Sequence, residues 1–156
     1  MSVSSRVENY LSTARVNYNL ISHKHTESAL NSAQSAHVPE KKVVKCVVLH
    51  NRLNDNYSMA LLPACNKLNM DWLSSYEEDL ELASESDIAP QFPDCDFGAV
   101  PGIGQAFYMD MFWDEALMEA DSLYFEGGDH ETLLEIDHDD FVRLFERFPH
   151  AAISLP

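Results

Sequence analysis

Short apolar runs alternate with polar turns along this chain, and the period of each run predicts its element. In Val43-Val44-Lys45-Cys46-Val47-Val48-Leu49, a period of two puts Val43, Lys45, Val47 and Leu49 on one strand face. Val44, Cys46 and Val48 fall on the other. A strand this apolar is expected to be covered on both faces. Lys45 then stands where an ammonium is costly unless it meets an anion, a carboxylate or a wet cleft. A snorkelling lysine at a strand edge, or one paired with a core carboxylate, fits the same pattern equally well.

The remaining pattern predicts an α+β chain. Ser5-Arg6-Val7-Glu8 has capping-box spacing and opens an amphipathic helix to about Val16. Residues 18–23 read as a short strand. Thr26 caps a second helix over residues 27–36, which Val38-Pro39 ends. The strand over residues 42–50 leads through turn chemistry at 51–56 into a hairpin partner at 57–62. A helical stretch at 67–74, a strand at 79–83 and a helix start at Ser84-Glu85-Ser86-Asp87 follow. Residues 92–104 form an irregular loop, and 107–113, 123–126 and 132–136 alternate as strands. Asp137 caps a final helix whose Phe141, Leu144, Phe145 and Phe148 make one apolar stripe. The expectation is a single domain over residues 1–156, a mixed and mostly antiparallel sheet flanked by helices.

Composition narrows the class. Hydrophobic residues make up 46% and aromatics 10%, enough for one globular core in 156 residues. No run reaches membrane-span length and the start lacks a secretory apolar segment, so a cytoplasmic location without a membrane partner is expected. Three widely spaced cysteines argue against a disulfide framework or a zinc ribbon. The net charge of −16 argues against DNA as a partner. Its distribution is uneven, however. Residues 1–52 carry seven bases against three acids, whereas residues 53–156 carry three bases against twenty-three acids. A phosphate-bearing ligand is therefore expected to approach the basic N-terminal third. Charge alone favours the plainer explanation, an acidic, highly soluble surface.

Two glycine-rich segments are candidates for chemistry. In Gly98-Ala99-Val100-Pro101-Gly102-Ile103-Gly104, the N–H groups of Gly98, Ala99 and Val100 could form an anion nest able to stabilise an oxyanion. The spacing excludes a dinucleotide fingerprint. Gly127-Gly128-Asp129-His130-Glu131 is explained by a hairpin turn, which leaves His130 as either a turn residue or a site residue. His23 and His25 share a strand face, but no third ligand stands at a recognisable spacing, so neither a metal nor another cofactor is expected. No nucleophile elbow or cysteine–histidine pattern is present.

Taken in order, several of these segments carry a family resemblance. They are His25-Thr26 with Ala29, Val38-Pro39, Val44 through Leu49, Ala60 through Ala64, Leu82-Ala83-Ser84, Phe92 through Pro101, and Tyr124 through His130, followed by the closing helix with Phe141. This ordered set resembles the YbaK/prolyl-tRNA-synthetase-associated family of aminoacyl-tRNA editing domains, from about His23 to Phe145. The resemblance implies hydrolysis of the ester of a mischarged tRNA. Lys45 would contact the terminal nucleotide as the essential catalytic residue. Gly98, Ala99, Val100 and Pro101 would hold the aminoacyl carbonyl, and Asp114 and His130 would sit at the pocket edge. Many members have proline where this chain has Gly102, which implies a looser loop. The expected partner is the 3′ end of an aminoacyl-tRNA, with an aminoacyl-tRNA synthetase as a further candidate. Two functions follow: a free-standing trans-editing deacylase, or a non-catalytic module that binds an aminoacyl-adenosine group or a synthetase.

Overall fold

Ser4, rather than Ser5, turns its hydroxyl to the Val7 N–H, so helix α1 (Ser5–Thr13) starts one residue earlier than its capping-box spacing predicts. α2 (Ala29–Ala36), by contrast, starts two residues later than expected, because Ser28 is the cap and accepts from the Asn31 N–H. Thr26 instead shares a hydrogen bond of 2.6 Å with the Ser32 hydroxyl. Both shifts have one cause, because neighbouring hydroxyls compete for the same free amides and tertiary contacts select the winner. The computed structural model describes residues 2–156.

Ten strands are present among the described residues: β1 (Asn19–Ser22), β2 (Val44–Asn51), β3 (Tyr57–Pro63), β4 (Lys67–Leu68), β5 (Leu80–Leu82), β6 (Asp110–Asp114), β7 (Ser122–Glu126), β8 (Thr132–Asp137), β9 (His150–Ala151) and β10 (Ser154–Leu155). Three further helices are α3 (Met70–Tyr76), α4 (Glu85–Ile88) and α5 (His138–Phe145). The main sheet runs β5-β2-β3-β6-β9, a second runs β1-β8-β7, and β10 pairs with β4. β3–β6 and β6–β9 are parallel, and the other pairings are antiparallel. The sheets are therefore mixed and mostly antiparallel, in one α+β domain. A bridge between Val43 and Tyr124 joins the two larger sheets.

Apolar cover lies on both faces of β2, as its pattern requires. Val44 and Val48 belong to a large core with Met59 and Leu61 of β3, Trp113 of β6, Phe125 of β7, and Phe141 and Phe145 of α5. Leu49 turns the other way and packs with Ala60, Leu62, Phe112 and Leu73 of α3. Val43 shares that opposite face but is covered separately, by Ala33 of α2 and Ala64. Lys45 lies between these two patches of cover.

The irregular segment after Gln91 is tied to α1. Asp94 accepts from the Ser4 hydroxyl at 2.7 Å, the Arg6 N–H at 2.9 Å and the Ser5 hydroxyl at 3.3 Å. Burial raises the Asp94 pKa, but the Arg6 amide and the Ser4 hydroxyl outweigh it and hold the carboxyl below its ordinary value of 3.8. A pKa lowered by folding contributes stability that is fully present above the unfolded value and is lost as pH falls through the folded one. Asp94→Ala is expected to cost about 1–2 kcal/mol at neutral pH. It should also flatten the acid limb of the stability curve below pH 3.8, which urea unfolding followed by circular dichroism at several pH values would check.

Candidate functional site

A cavity of about 270 Å³ opens where α2, α4, the Gly98 segment and the β7–β8 turn meet the outer edge of β2. Its existence follows from strand pairing. β5 pairs with β2 only at Leu49, His50 and Asn51, and β7 meets the same edge only by its bridge at Val43, so no strand covers the outer edge around Cys46. The Ala64 N–H donates to the Val43 carbonyl at 2.8 Å. Antiparallel alternation then directs the backbone polar groups of Lys45, Val47 and Leu49 toward β3, and those of Val44, Cys46 and Val48 outward. The Val48 carbonyl accepts from the Ala83 N–H just ahead of α4. The Cys46 N–H and C=O remain directed along the open edge, in the cavity wall.

Because the cavity borders a strand edge, residues from both faces of β2 line it, Lys45 and Cys46 among them. The Lys45 ammonium donates to the Asn66 carbonyl. No carboxylate pairs with it among the described residues. Burial lowers the Lys45 pKa, the Cys65 sulfur draws it back up, and Lys67 lowers it further. Of its three donors, two remain for a ligand. Lys42 is the contrasting case, since it is engaged by Asp121 at 2.7 Å. The basic surplus of the N-terminal third is correspondingly smaller than its charge count.

Asp96-Phe97-Gly98-Ala99 forms a tight turn closed by the Ala99 N–H on the Asp96 carbonyl at 2.9 Å. Gly98, at the third position, has φ of 82°, the left-handed conformation this turn demands and glycine supplies without strain. The closing bond corrects the expectation that three successive amides are free. Ala99 is buried and its N–H is committed, which leaves those of Gly98 and Val100. Gly98 and Val100 line the cavity, whereas Pro101 is buried behind them. Gly102 corrects a second expectation, that the loop is loose. It is buried, and a Cβ built there would lie 3.0 Å from Leu61 Cδ2 and 3.5 Å from Phe125 and Val44. The missing proline ring is replaced by close core packing.

His130 lies against this turn. Its Nε2 donates to the Phe97 carbonyl at 2.7 Å, so that nitrogen carries a hydrogen. Glu27 Oε2 lies 3.4 Å from the same nitrogen, and Glu27 Oε1 meets His25 Nε2 at 2.8 Å. The backbone of His130 has φ of 63°, which costs a non-glycine residue on the order of 1–2 kcal/mol. Glu126 holds it there, one carboxylate oxygen accepting from the Gly128, Asp129 and His130 amides at 2.8, 3.2 and 3.2 Å. His23 turns away, its Nδ1 on the Lys24 carbonyl, so the two N-terminal histidines do not converge.

Asp114 is placed elsewhere. It is 3% exposed and accepts from the Ala116 and Ile153 amides and the Ser154 hydroxyl, anchoring the C-terminal segment. Sequence reasoning also missed Glu85, Glu27, Glu126 and the Cys46 edge. Glu85 reads only as a helix-start residue, and an unpaired strand edge has no sequence signal.

The fold and cavity define an α+β domain with a cation, a glycine turn and a histidine around one ligand-sized space. The sequence signature of the aminoacyl-tRNA editing domain matches residues 23–144, a span that contains every wall of the cavity. The chain belongs to that family. Among solved structures, hypothetical protein APE2540 superposes with a TM-score of 0.83 at 19% identity, covering 97% of this chain and 100% of its own. A candidate trans-editing enzyme for prolyl tRNA synthetase gives 0.79 at 18% identity, covering 98% and 97%. A candidate signal transduction protein from Marinobacter aquaeolei VT8 gives 0.76 at 13% identity, covering 97% of this chain and 30% of its own. At these identities the likeness establishes the fold. No curated protein matches in sequence. No helix among the described residues is long and apolar enough to cross a membrane.

Two outcomes follow from these placements. Asp114→Ala leaves three donors unpaired and is expected to destabilise by on the order of 2–4 kcal/mol in urea unfolding, without weakening ligand binding in the cavity. Burial pushes the Cys46 and Cys95 thiols up to about 12, whereas Cys65 is exposed. Iodoacetamide at neutral pH should therefore alkylate Cys65 first, as peptide mass spectrometry would report.

Proposed function

We propose that this protein is a free-standing editing hydrolase that cleaves the ester of a mischarged aminoacyl-tRNA. The observation that carries this reading is that Lys45 and the Gly98 turn share one cavity. An aminoacyl ester is already an activated acyl group, so its hydrolysis needs no protein nucleophile. Water, directly or assisted by the vicinal ribose hydroxyl, adds to the carbonyl carbon, and the C=O electron pair moves onto oxygen. The N–H groups of Gly98 and Val100 are the candidates to meet that oxyanion. Collapse expels the ribose oxygen, which takes the proton released by the water and leaves free amino acid and tRNA.

A preorganised oxyanion donor contributes about 3–4 kcal/mol to such a step. His130 acts here as a positioning residue, because its hydrogen is spent holding the Phe97 carbonyl and thereby the turn. Lys45 anchors the terminal phosphate or ribose. Its lowered pKa and lack of a carboxylate partner support this role, since a bound anion restores the charge balance that burial disturbs. The Cys46 thiol is a neutral, apolar part of the wall.

A second reading, the non-catalytic module, is favoured by the twenty-three acids beyond residue 52, which oppose independent tRNA affinity. Deacylation across a panel of mischarged tRNAs, beginning with Ala-, Ser- and Cys-charged species, separates the two. Wild type is expected to turn over at least one of them. Lys45→Ala is expected to lose about 100-fold or more in kcat/KM with an unchanged circular dichroism spectrum. Saturable binding without product on every substrate favours the module. Undiminished turnover by Lys45→Ala rejects the role given to that residue.

A further inference from the structure

We propose that Glu85 is the counter-charge for the α-ammonium of the aminoacyl group, so that the cavity selects acyl groups with a free amine. The inference rests on the aminoacyl-ester reading of the cavity and adds to it the part of the substrate that Glu85 recognises.

Three carboxylates line the cavity, and two are already engaged. Glu126 accepts from three backbone amides, and Glu27 is paired with His25 at 2.8 Å. Glu85 has no hydrogen-bond or ion-pair partner among the described residues. Its location is specific, because Glu85 Oε2 lies 3.8 Å from where a Cβ on Gly98 would stand, and the His130 ring atoms lie 3.7 and 3.8 Å from the same point. Glu85 is held there through backbone. Ser84 caps α4 by accepting from the Asp87 N–H, and the preceding Ala83 N–H is fixed on the Val48 carbonyl of β2.

Substrate chemistry matches this placement. In an aminoacyl ester the α-ammonium is one carbon from the ester carbonyl. An anion beside Gly98 therefore reaches the ammonium when the carbonyl oxygen is held by the turn amides. Glu85 and Lys45 line the same cavity without pairing with each other, the ammonium lying instead on the Asn66 carbonyl. The cavity thus presents an anion near the glycine turn and a cation toward Asn66. An aminoacyl nucleotide carries the opposite arrangement, an ammonium at its acyl end and a phosphate at the other. An acyl group whose amine is acetylated leaves Glu85 without its partner and adds bulk beside Gly98.

The test uses a non-hydrolysable probe, 3′-alanylamido-3′-deoxyadenosine 5′-phosphate, beside its N-acetyl counterpart, with binding measured by calorimetry. Wild type is expected to prefer the free amine by about tenfold or more, the ratio that one charge-assisted hydrogen bond confers. In Glu85→Gln, whose melting temperature should match wild type because residue 85 is exposed, the ratio is expected to fall to about threefold or less. A preference that persists in Glu85→Gln, or is absent from wild type, overturns the inference. So does an unchanged amide affinity together with a large fall in kcat, which would make Glu85 a base. Binding of an amide requires no turnover, so the two proposals fail separately. Amine selectivity without hydrolysis of any mischarged tRNA sinks the deacylase reading alone, and hydrolysis without amine selectivity sinks the role of Glu85 alone.

Discussion

β2 is buried on both faces yet unpaired along part of one edge, and the other features of the site depend on that combination. Core packing on the side of Val44 and Val48, and cover by α2 and α3 on the other, hold the strand rigidly. The edge between Val44 and Val48 leaves amide and carbonyl groups that need partners, and inside a fold only water or a ligand can serve. The cavity is the space that edge requires. Lys45 reaches it because the cover on its face is split between two patches, and α4 is positioned there by a backbone bond to Val48.

The facing wall is a segment with little regular structure that is nonetheless firmly tethered. Asp94 fastens it to the start of α1, the Asp96 N–H bonds the Gly128 carbonyl at 2.8 Å, and His130 holds the Phe97 carbonyl. Gly102 and Ile103 then enter the core. Amides held this way need little reorganisation when charge develops nearby, which is what makes such donors effective. The strained backbone at His130 belongs to the same design, since Glu126 spends a carboxylate oxygen on keeping that turn closed.

Charge is arranged locally in a way the total obscures. The chain carries −16, but the cavity sets one cation free of carboxylates against one carboxylate, Glu85, free of any hydrogen-bond or ion-pair partner among the described residues. Lys42 is neutralised by Asp121, and Glu27 is paired with His25. What remains unspent is a single charge of each sign. That pattern is better suited to positioning a small zwitterionic end group than to gripping a long polyanion.

Much of this was legible in the residues because it depends on local periodicity. The two-faced pattern of Val43 to Leu49, the turn chemistry after Asn51, the Asp137 cap and the stripe of α5 all act over a few residues. The ordered motifs likewise indicated the family. The short strands β4, β9 and β10 were not legible, because two-residue pairings exist only when distant chain supplies the partner. The family resemblance implies a place for Asp114 at the pocket edge, yet the Ile153 amide and the Ser154 hydroxyl claim it. Thus the sequence by itself determined the longer elements, the half-buried lysine and the glycine turn. Tertiary structure decided which amides stayed free, which carboxylates were already engaged and where the open strand edge lies, because each of these depends on contacts between residues far apart in the chain.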